Sequence, residues 1–473
     1  MSTLKVDTIK SDTTPTLTIS DGLSVTGVTT TSNDLILTNS NHVTQVLKAG
    51  GSSSDLAIQF KDSSGNIESS VFCASDAGDL RLKTGGNTER LRIRGDGRVS
   101  IASSLAVAGV CTAAAFIPSE GQLSHKNFVT NGAMKVSQRA TSFTATGDEY
   151  TLDRWRHSHG SSFNFDTTTT QESSGPDGFG NSLKITPDSV VTPSGGENGT
   201  IEHYIEGQDV QGLAFGTSSA KSVTVSFYAK SAASNANDQY TLWLQFYNSA
   251  GNRFIQNKAF TVTASWQKFS ITFTGNTSEN IINNNTLGLR LGWILSSGPD
   301  DIAAEKTSWE DSNFWMAVTG QSNFMDNTSN EFHLSGVQVE AGDVATDFEH
   351  KSYSDEFARC CRYFYAIKGD NNDVPGFMVA VRNIDTANFC RSAPYPMRTI
   401  PAYTGSGDCW VYSSNNSAVF DLSVLQLTLM TTEANPTIFS LQAANTLSSM
   451  GDWGDGVLQF KEDGCTMYFS AEL

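Results

Sequence analysis

"YTLWLQFY" (residues 240–247) decides how most of this chain folds. Side chains alternate across a β-strand. Tyr240, Leu242, Leu244 and Phe246 therefore share one face, and Thr241, Trp243, Gln245 and Tyr247 share the other. The same period of two runs through its neighbours: "SVTVSFYAK" aligns Val223, Val225, Phe227 and Ala229, "KFSITFTG" aligns Phe269, Ile271 and Phe273, and "LGLRLGWIL" aligns Leu287, Leu289, Leu291, Trp293 and Leu295. Strands of this kind, with long polar loops between them, predict a two-sheet β-sandwich of jelly-roll type over residues 127–350. Trp155 and Trp266 stand where such a core takes a large anchor.

Toward the N-terminus the composition changes. Up to about residue 119 aromatic residues are few, and short strand-like pieces, each with one apolar stripe, are punctuated by Gly, Asn, Asp and Ser. In "LRIRGDGRVSI" (residues 91–101), Leu91, Ile93, Val99 and Ile101 alternate with polar residues around a Gly95-Asp96-Gly97 turn. The Arg94-Gly95-Asp96 tripeptide is thus read as part of a hairpin turn rather than as an adhesion motif. These strands are too short and too poor in large side chains for a good core from one chain. An apolar stripe that one chain cannot bury is commonly buried against copies of itself. A β-rich shaft over residues 36–126, wound around a threefold axis, is expected.

Toward the C-terminus, "SDEFARCCRYFYA" predicts a short helix, capped by Ser354, with Asp355 and Glu356 at its positive end and Phe357, Cys360, Cys361 and Phe364 at helical spacing. The helix reads as a connector. Residues 369–473 return to strands and close with a hairpin turning at Asp463-Gly464, so residues 351–473 are expected to form the connector helix and a small distal β-sandwich. The expected fold class is all-β with one short connecting helix.

The net charge of −18 and pI near 4.7 argue against a phosphate-binding surface and against nucleic acid as a partner. No stretch of about 18 apolar residues occurs and the first residues carry no signal-peptide core, so neither secretion by the usual route nor membrane insertion is expected. Seven cysteines, an odd number without a C-x-x-C pair, read as reduced structural thiols rather than a zinc site.

Several stretches resemble the tail fibres and receptor-binding proteins of bacteriophages. "GGNTERLRIRGDGRVSI" is similar to the repeat that closes their shafts; "NFVTNGAMKVSQRATSFT" with "YTLDRWR" looks like the opening of their jelly-roll domain; "FHLSGVQVEAGDVATDFEHKSYSDEFARCCRYF" looks like its last strand and exit helix; "PYPMRTIPAY" and "FSAEL" resemble the distal domain. The resemblance covers most of the chain and is weakest in the first ninety residues. It implies a homotrimer on the virion tail, attached to other tail proteins through residues 1–35, made and folded in the host bacterial cytoplasm, and binding a bacterial surface polysaccharide or lipopolysaccharide through a domain similar to carbohydrate-binding modules. Such modules often place an acidic residue after Asn-Gly that helps to hold a structural calcium. Here Ala133 and Met134 follow Asn131-Gly132, and neither a metal nor another cofactor is expected.

Sugar recognition needs aromatic faces for C–H surfaces and planar polar groups for hydroxyls. Trp243, Gln245 and Tyr247 form the best local set, with packing as the competing role; Trp309 and Trp315 in "SWEDSNFW" lie in a loop. In the distal domain Trp410, Tyr412 and Trp453 are candidates for receptor contact or for an interface between copies. A glycosidase would need two facing carboxylates. Asp153, Glu202, Glu206, Asp209, Glu305, Glu310 and Asp311 are available, but their spacing singles out no pair, and His157 and His159 read as surface residues. The expected role is non-catalytic, multivalent adhesion; the alternatives are a purely structural virion component and a polysaccharide depolymerase.

Overall fold

A computed structural model describes residues 56–64, 66–73, 78–85, 88–102, 124–160, 163–311, 317–383, 386–413, 419–423, 427–429, 437–444 and 455–473. The expected attachment segment, residues 1–35, lies outside them. The protein is almost entirely β-structure, in two compact units, Met1–Ala115 and Phe116–Leu473. Among the described residues no helix is long and apolar enough to cross a membrane.

In the first unit β1 (Leu56–Lys61), β2 (Ile67–Cys73), β3 (Leu80–Thr84), β4 (Thr88–Ile93) and β5 (Val99–Ile101) form one antiparallel meander in chain order. The β4–β5 hairpin pairs Leu91 with Ile101 and Ile93 with Val99. Arg94 N–H donates to Arg98 O (2.8 Å) and Gly97 turns the chain at φ 85°, a conformation that glycine adopts without strain. The hairpin reading of the Arg-Gly-Asp stretch therefore holds. Directly paired residues share a face, and Ile58, Val71, Leu82, Leu91 and Ile101 run as one row across all five strands. That face is open: Ile58 is 47 %, Leu82 40 % and Val99 58 % exposed. The opposite face is polar, with Asp79 accepting from Arg92 Nε (2.6 Å) and Gly95 N (3.2 Å), and Lys83 lying over the Phe72 ring.

The second unit begins with the sandwich. Its strands are β6 (Ser142–Ala145), β7 (Glu149–Tyr150), β8 (Trp155–Gly160), β9 (Thr167–Glu172), β10 (Ser182–Pro187), β11 (Asn198–Glu206), β12 (Val223–Ser231), β13 (Gln239–Tyr247), β14 (Arg253–Thr261), β15 (Gln267–Phe273), β16 (Leu287–Ser297), β17 (Ile302–Ala303), β18 (Glu310–Asp311), β19 (Ala317–Val318) and β20 (Phe332–Ala341). One sheet has the order β15-β12-β20-β10-β9-β6, and the facing sheet β18-β14-β13-β16-β11-β8-β7. The alternation read from the sequence points the expected residues inward: Val223, Val225, Phe227, Tyr240, Leu242, Leu244, Phe246, Leu289, Leu291, Trp293 and Leu295 all lie in the shared core. Trp155 is fully buried beside Trp293, with ring centroids 5.7 Å apart. Trp266 is not a core anchor. It precedes edge strand β15 and lies half-buried at the surface, against Lys230 and the ring of His333.

Residues 127–131 close the sandwich by crossing to β20. Phe128 N donates to Val339 O (2.9 Å), and Asn127 Oδ1 accepts from Val339 N (3.1 Å). Gly132 is required here, since a Cβ would sit 2.1 Å from Val337 O. Asn131, in the left-handed region at φ 60°, bonds Val136 and the Asp153 carbonyl through its side chain, while its N–H donates to Glu356. The Asn-Gly motif thus ties the opening segment to the connector helix.

That helix, α1 (Tyr353–Cys361), is capped by Ser352 rather than Ser354. Ser352 has the extended backbone that a cap needs, and its hydroxyl accepts from Asp355 N (3.1 Å), whereas Ser354 already lies in the first turn. Cys360 and Cys361 are buried, and the six cysteines described are all free thiols. Beyond α1 follow β21 (Phe364–Gly369), β22 (Met378–Asn383), β23 (Thr386–Ser392), β24 (Ala402–Ser406), β25 (Asp408–Ser413), β26 (Val419–Ser423), β27 (Thr428–Leu429), β28 (Ile438–Ala444), β29 (Asp455–Phe460) and β30 (Cys465–Ser470). They make a three-stranded and a seven-stranded sheet over a core in which the Phe439 and Phe469 rings stack at 3.8 Å. Glu472 pairs with Arg154 and Arg139, Tyr150 donates to Leu473 O, and Arg398 bonds Asn285, Ala471 and Glu472, so the distal domain is docked on the sandwich by buried polar contacts.

Candidate functional site

The outer face of the seven-stranded sheet is built by the residues that alternate with the core. Two rows cross it. Arg156, Glu202, Gly292, Trp243 and Asn257 are paired successively across β8, β11, β16, β13 and β14, and beside them Tyr204, Arg290, Gln245 and Ile255. In β16 the outward positions are Gly288, Arg290 and Gly292, while the leucines and Trp293 point in. The bare backbone at Gly292 lets Trp243 lie flat across the neighbouring strand; a Cβ there would come 2.6 Å from the indole Cε2.

The polar groups are interlocked. Arg156 Nη1 donates to Glu202 Oε2 (3.1 Å), Tyr204 Oη (2.9 Å) and Ser158 Oγ (2.9 Å), and the Tyr204 hydroxyl donates to Glu202 (2.7 Å). Arg290 Nε donates to Gln245 Oε1 (2.8 Å), and its guanidinium carbon lies 4.9 Å from the Trp243 ring centroid and 5.9 Å from those of Tyr204 and Tyr247. Burial opposes the charge on Arg290, yet Glu202, Tyr247 and Tyr204 hold its pKa above the ordinary value; burial, then Glu202, pushes the Tyr204 hydroxyl up. Both guanidinium groups are thus fixed cations.

The structure changes the expected use of the strand that opened the sequence reading. Trp243 and Gln245 are fully buried, so neither is an open platform for a sugar ring. Trp243 packs in a small second core with Ile255, Ile294 and Ala317, and Thr241 pins β19 over it, accepting from Val318 N (2.9 Å). Trp243 Nε1 and Gln245 Nε2 nevertheless remain without acceptors. Tyr247, Arg290 and Arg156 are the half-buried groups that meet solvent. Arg156, Tyr204 and Arg290 had not been singled out from sequence, although the Gly-Arg-Gly alternation of β16 carried the signal.

The other candidates do not join this face. Trp309 is a packing residue, edge-on to Phe246 (4.9 Å) and Phe215 (5.6 Å), with its indole N–H on Thr274 O (2.6 Å). Trp410 is half-buried on the outer side of β25, opposite buried Cys409 and Val411, and Tyr412 belongs to the same strand. Trp315 and Trp453 lie outside the described residues. His157 is not a surface residue: it is fully buried, its ring nitrogens 2.8 Å from Gly147 O and Phe165 O. Of the acids, Glu206 binds Arg362 and Tyr363, Asp153 accepts from Gln138, Glu305 meets Lys258 and Glu310 meets Lys306. Among the described residues no cluster of three or more His, Cys, Asp or Glu could hold a metal ion.

No family model and no curated protein matches this chain. Among solved structures, it is similar to the enzymatically active domain of tailspike protein 4 of bacteriophage CBA120, at 12 % identity over 46 % of this chain and 21 % of that one, with a TM-score of 0.25. It is also similar to a putative sugar binding protein from Bacteroides thetaiotaomicron (12 % identity, 46 % of this chain, 100 % of that one, TM-score 0.28). A third is a family 11 carbohydrate-binding module of a Clostridium thermocellum cellulase (13 %, 45 % and 98 %, TM-score 0.22).

Proposed function

We propose that this chain is a bacteriophage tail fibre protein that adheres to a bacterial surface glycan without cleaving it, as a homotrimer attached to the virion tail through its N-terminal segment. The observation that carries the glycan reading is the outer face of the seven-stranded sheet, where Arg290 and Arg156 are held among the rings of Tyr204, Trp243 and Tyr247. Fixed guanidinium donors suit sugar hydroxyls, and the half-buried Tyr247 ring beside Arg290 offers aromatic surface to a sugar C–H face. The open apolar row of the meander supports self-association, because copies of the same chain present the same face. Three weak sites on one stalk bind a repetitive surface far longer than one site does.

The test incubates the labelled chain with a panel of bacteria and scores bound protein and reducing sugar released. Saturable binding to a few strains, lost in Arg290→Ala and without sugar release, is the expected result. Binding to no strain would sink the adhesin reading, and released sugar would sink its non-catalytic part.

A further inference from the structure

A separate cavity of about 280 Å³ opens at the end of the sandwich, where residues 125–130 and α1 meet the end of β11. It shares only Tyr204 with the outer-face rows. Its base is His203, an inward residue of β11 that is 1 % exposed and whose ring lies edge-on to Trp155. His203 Nε2 is 2.9 Å from Thr130 O. A carbonyl only accepts, so Nε2 carries the hydrogen and the neutral ring leaves Nδ1 as a bare acceptor. That Nδ1 is buried and has no partner. Burial, aided by the charge of Arg154, takes the ring's pKa down to about 3, so the lone pair persists at neutral and mildly acidic pH.

Two further charged side chains lie at the cavity, each within the field of the other. Asp209, in the turn Gly207–Leu213 that follows β11, and Arg359, in the last turn of α1, have no side-chain hydrogen bond or ion pair among the described residues. Phe128 and Tyr363 line the same space with ring surface. The Tyr363 hydroxyl is already given to Glu206 (2.7 Å).

The combination is selective. The Asp209 carboxylate disfavours an anion, and Arg359 disfavours a metal cation. A neutral group with neighbouring hydroxyls fits, because one hydroxyl can donate to Asp209 while another accepts from Arg359, above the His203 ring. We propose that this cavity is a second ligand site, which takes one sugar residue or small polyol through its hydroxyls and aromatic walls and thereby bridges the sandwich and the connector helix.

The test uses the full chain and titrates free glucose, galactose, N-acetylglucosamine, rhamnose and glycerol by calorimetry, with ¹⁵N-histidine spectra recorded in parallel. At least one compound is expected to bind once per chain and to move the His203 Nδ1 resonance. Asp209→Ala and Arg359→Ala, which break no side-chain hydrogen bond or ion pair among the described residues, should each weaken that binding by about tenfold and leave attachment to bacteria unchanged, whereas Arg290→Ala should leave it intact. Absence of binding by every compound, or binding that survives both cavity variants, would overturn the assignment. Loss in Arg290→Ala alone would place the ligand on the outer face and equally overturn it.

Discussion

The meander and the sandwich are written in the same period-two code, yet they end in opposite states. In β13 even the residues facing away from the core, Thr241, Trp243 and Gln245, are buried; β19 supplies a third layer over Thr241 and Trp243, and Arg290 lies against Gln245. In the meander the paired row from Ile58 to Ile101 stays open among the described residues, with Ile58 47 % and Ile101 36 % exposed. The difference teaches that alternation specifies which face is apolar, while the cover must come from elsewhere in the chain or from another copy of it.

Trp293→Ala tests the self-sufficient side of this contrast. A fully buried Trp packed on Trp155 and Phe227 should cost about 3–5 kcal/mol, measured by denaturant midpoint and independent of protein concentration. The other side is tested by Leu82→Asp with Ile93→Asp. Light scattering should show self-association weakened about a hundredfold, roughly 2.8 kcal/mol, while the sandwich keeps its midpoint. A chain that is monomeric before substitution would break the contrast.

A smaller effect comes from pH. The unfolded His203 ring takes up a proton near 6.5, whereas the folded ring resists down to about 3. Below 6.5 the unfolded state therefore binds more protons, and stability falls as the solution is acidified, by up to about 1.4 kcal/mol per pH unit from this group. His203→Gln should flatten the sandwich's stability profile by that amount over the window; an unchanged slope would show that the ring titrates normally. Smallest of all, Arg98→Ala at the meander turn should leave the denaturant midpoint and the self-association unchanged, because its pair with Asp96 is solvent-exposed.

Strand positions and their core faces were legible because a single period settles them. Phe227, Leu244 and Trp293 needed no tertiary information. Burial on the second face was not legible: Trp243 and Tyr247 alternate alike, and only the return of Ala317 and Val318 over Trp243 separates them. His157 was misjudged because its partners, Gly147 O and Phe165 O, are backbone atoms that no side-chain pattern announces. Trp266 was misjudged because an edge position is a property of sheet order, which local sequence does not encode. The outer-face site was half legible, since β13 named its strand while Tyr204 and Arg290 entered through pairing register.

The strap that closes the sandwich also sets a schedule. Asn127 Oδ1 can accept from Val129 N at once, but its bond to Val339 N must wait for a residue 212 positions later. At a synthesis rate of about 5–20 residues per second, the opening segment spends roughly 10–40 s outside the ribosome before its partner strand exists. During that interval the growing chain holds one sheet in two parts, β15-β12 and β10-β9-β6, without the interior strand β20 that joins them, and contacts of such long range form slowly. Crowding of nascent chains on one messenger would then bring like chains together while those sheets are still incomplete.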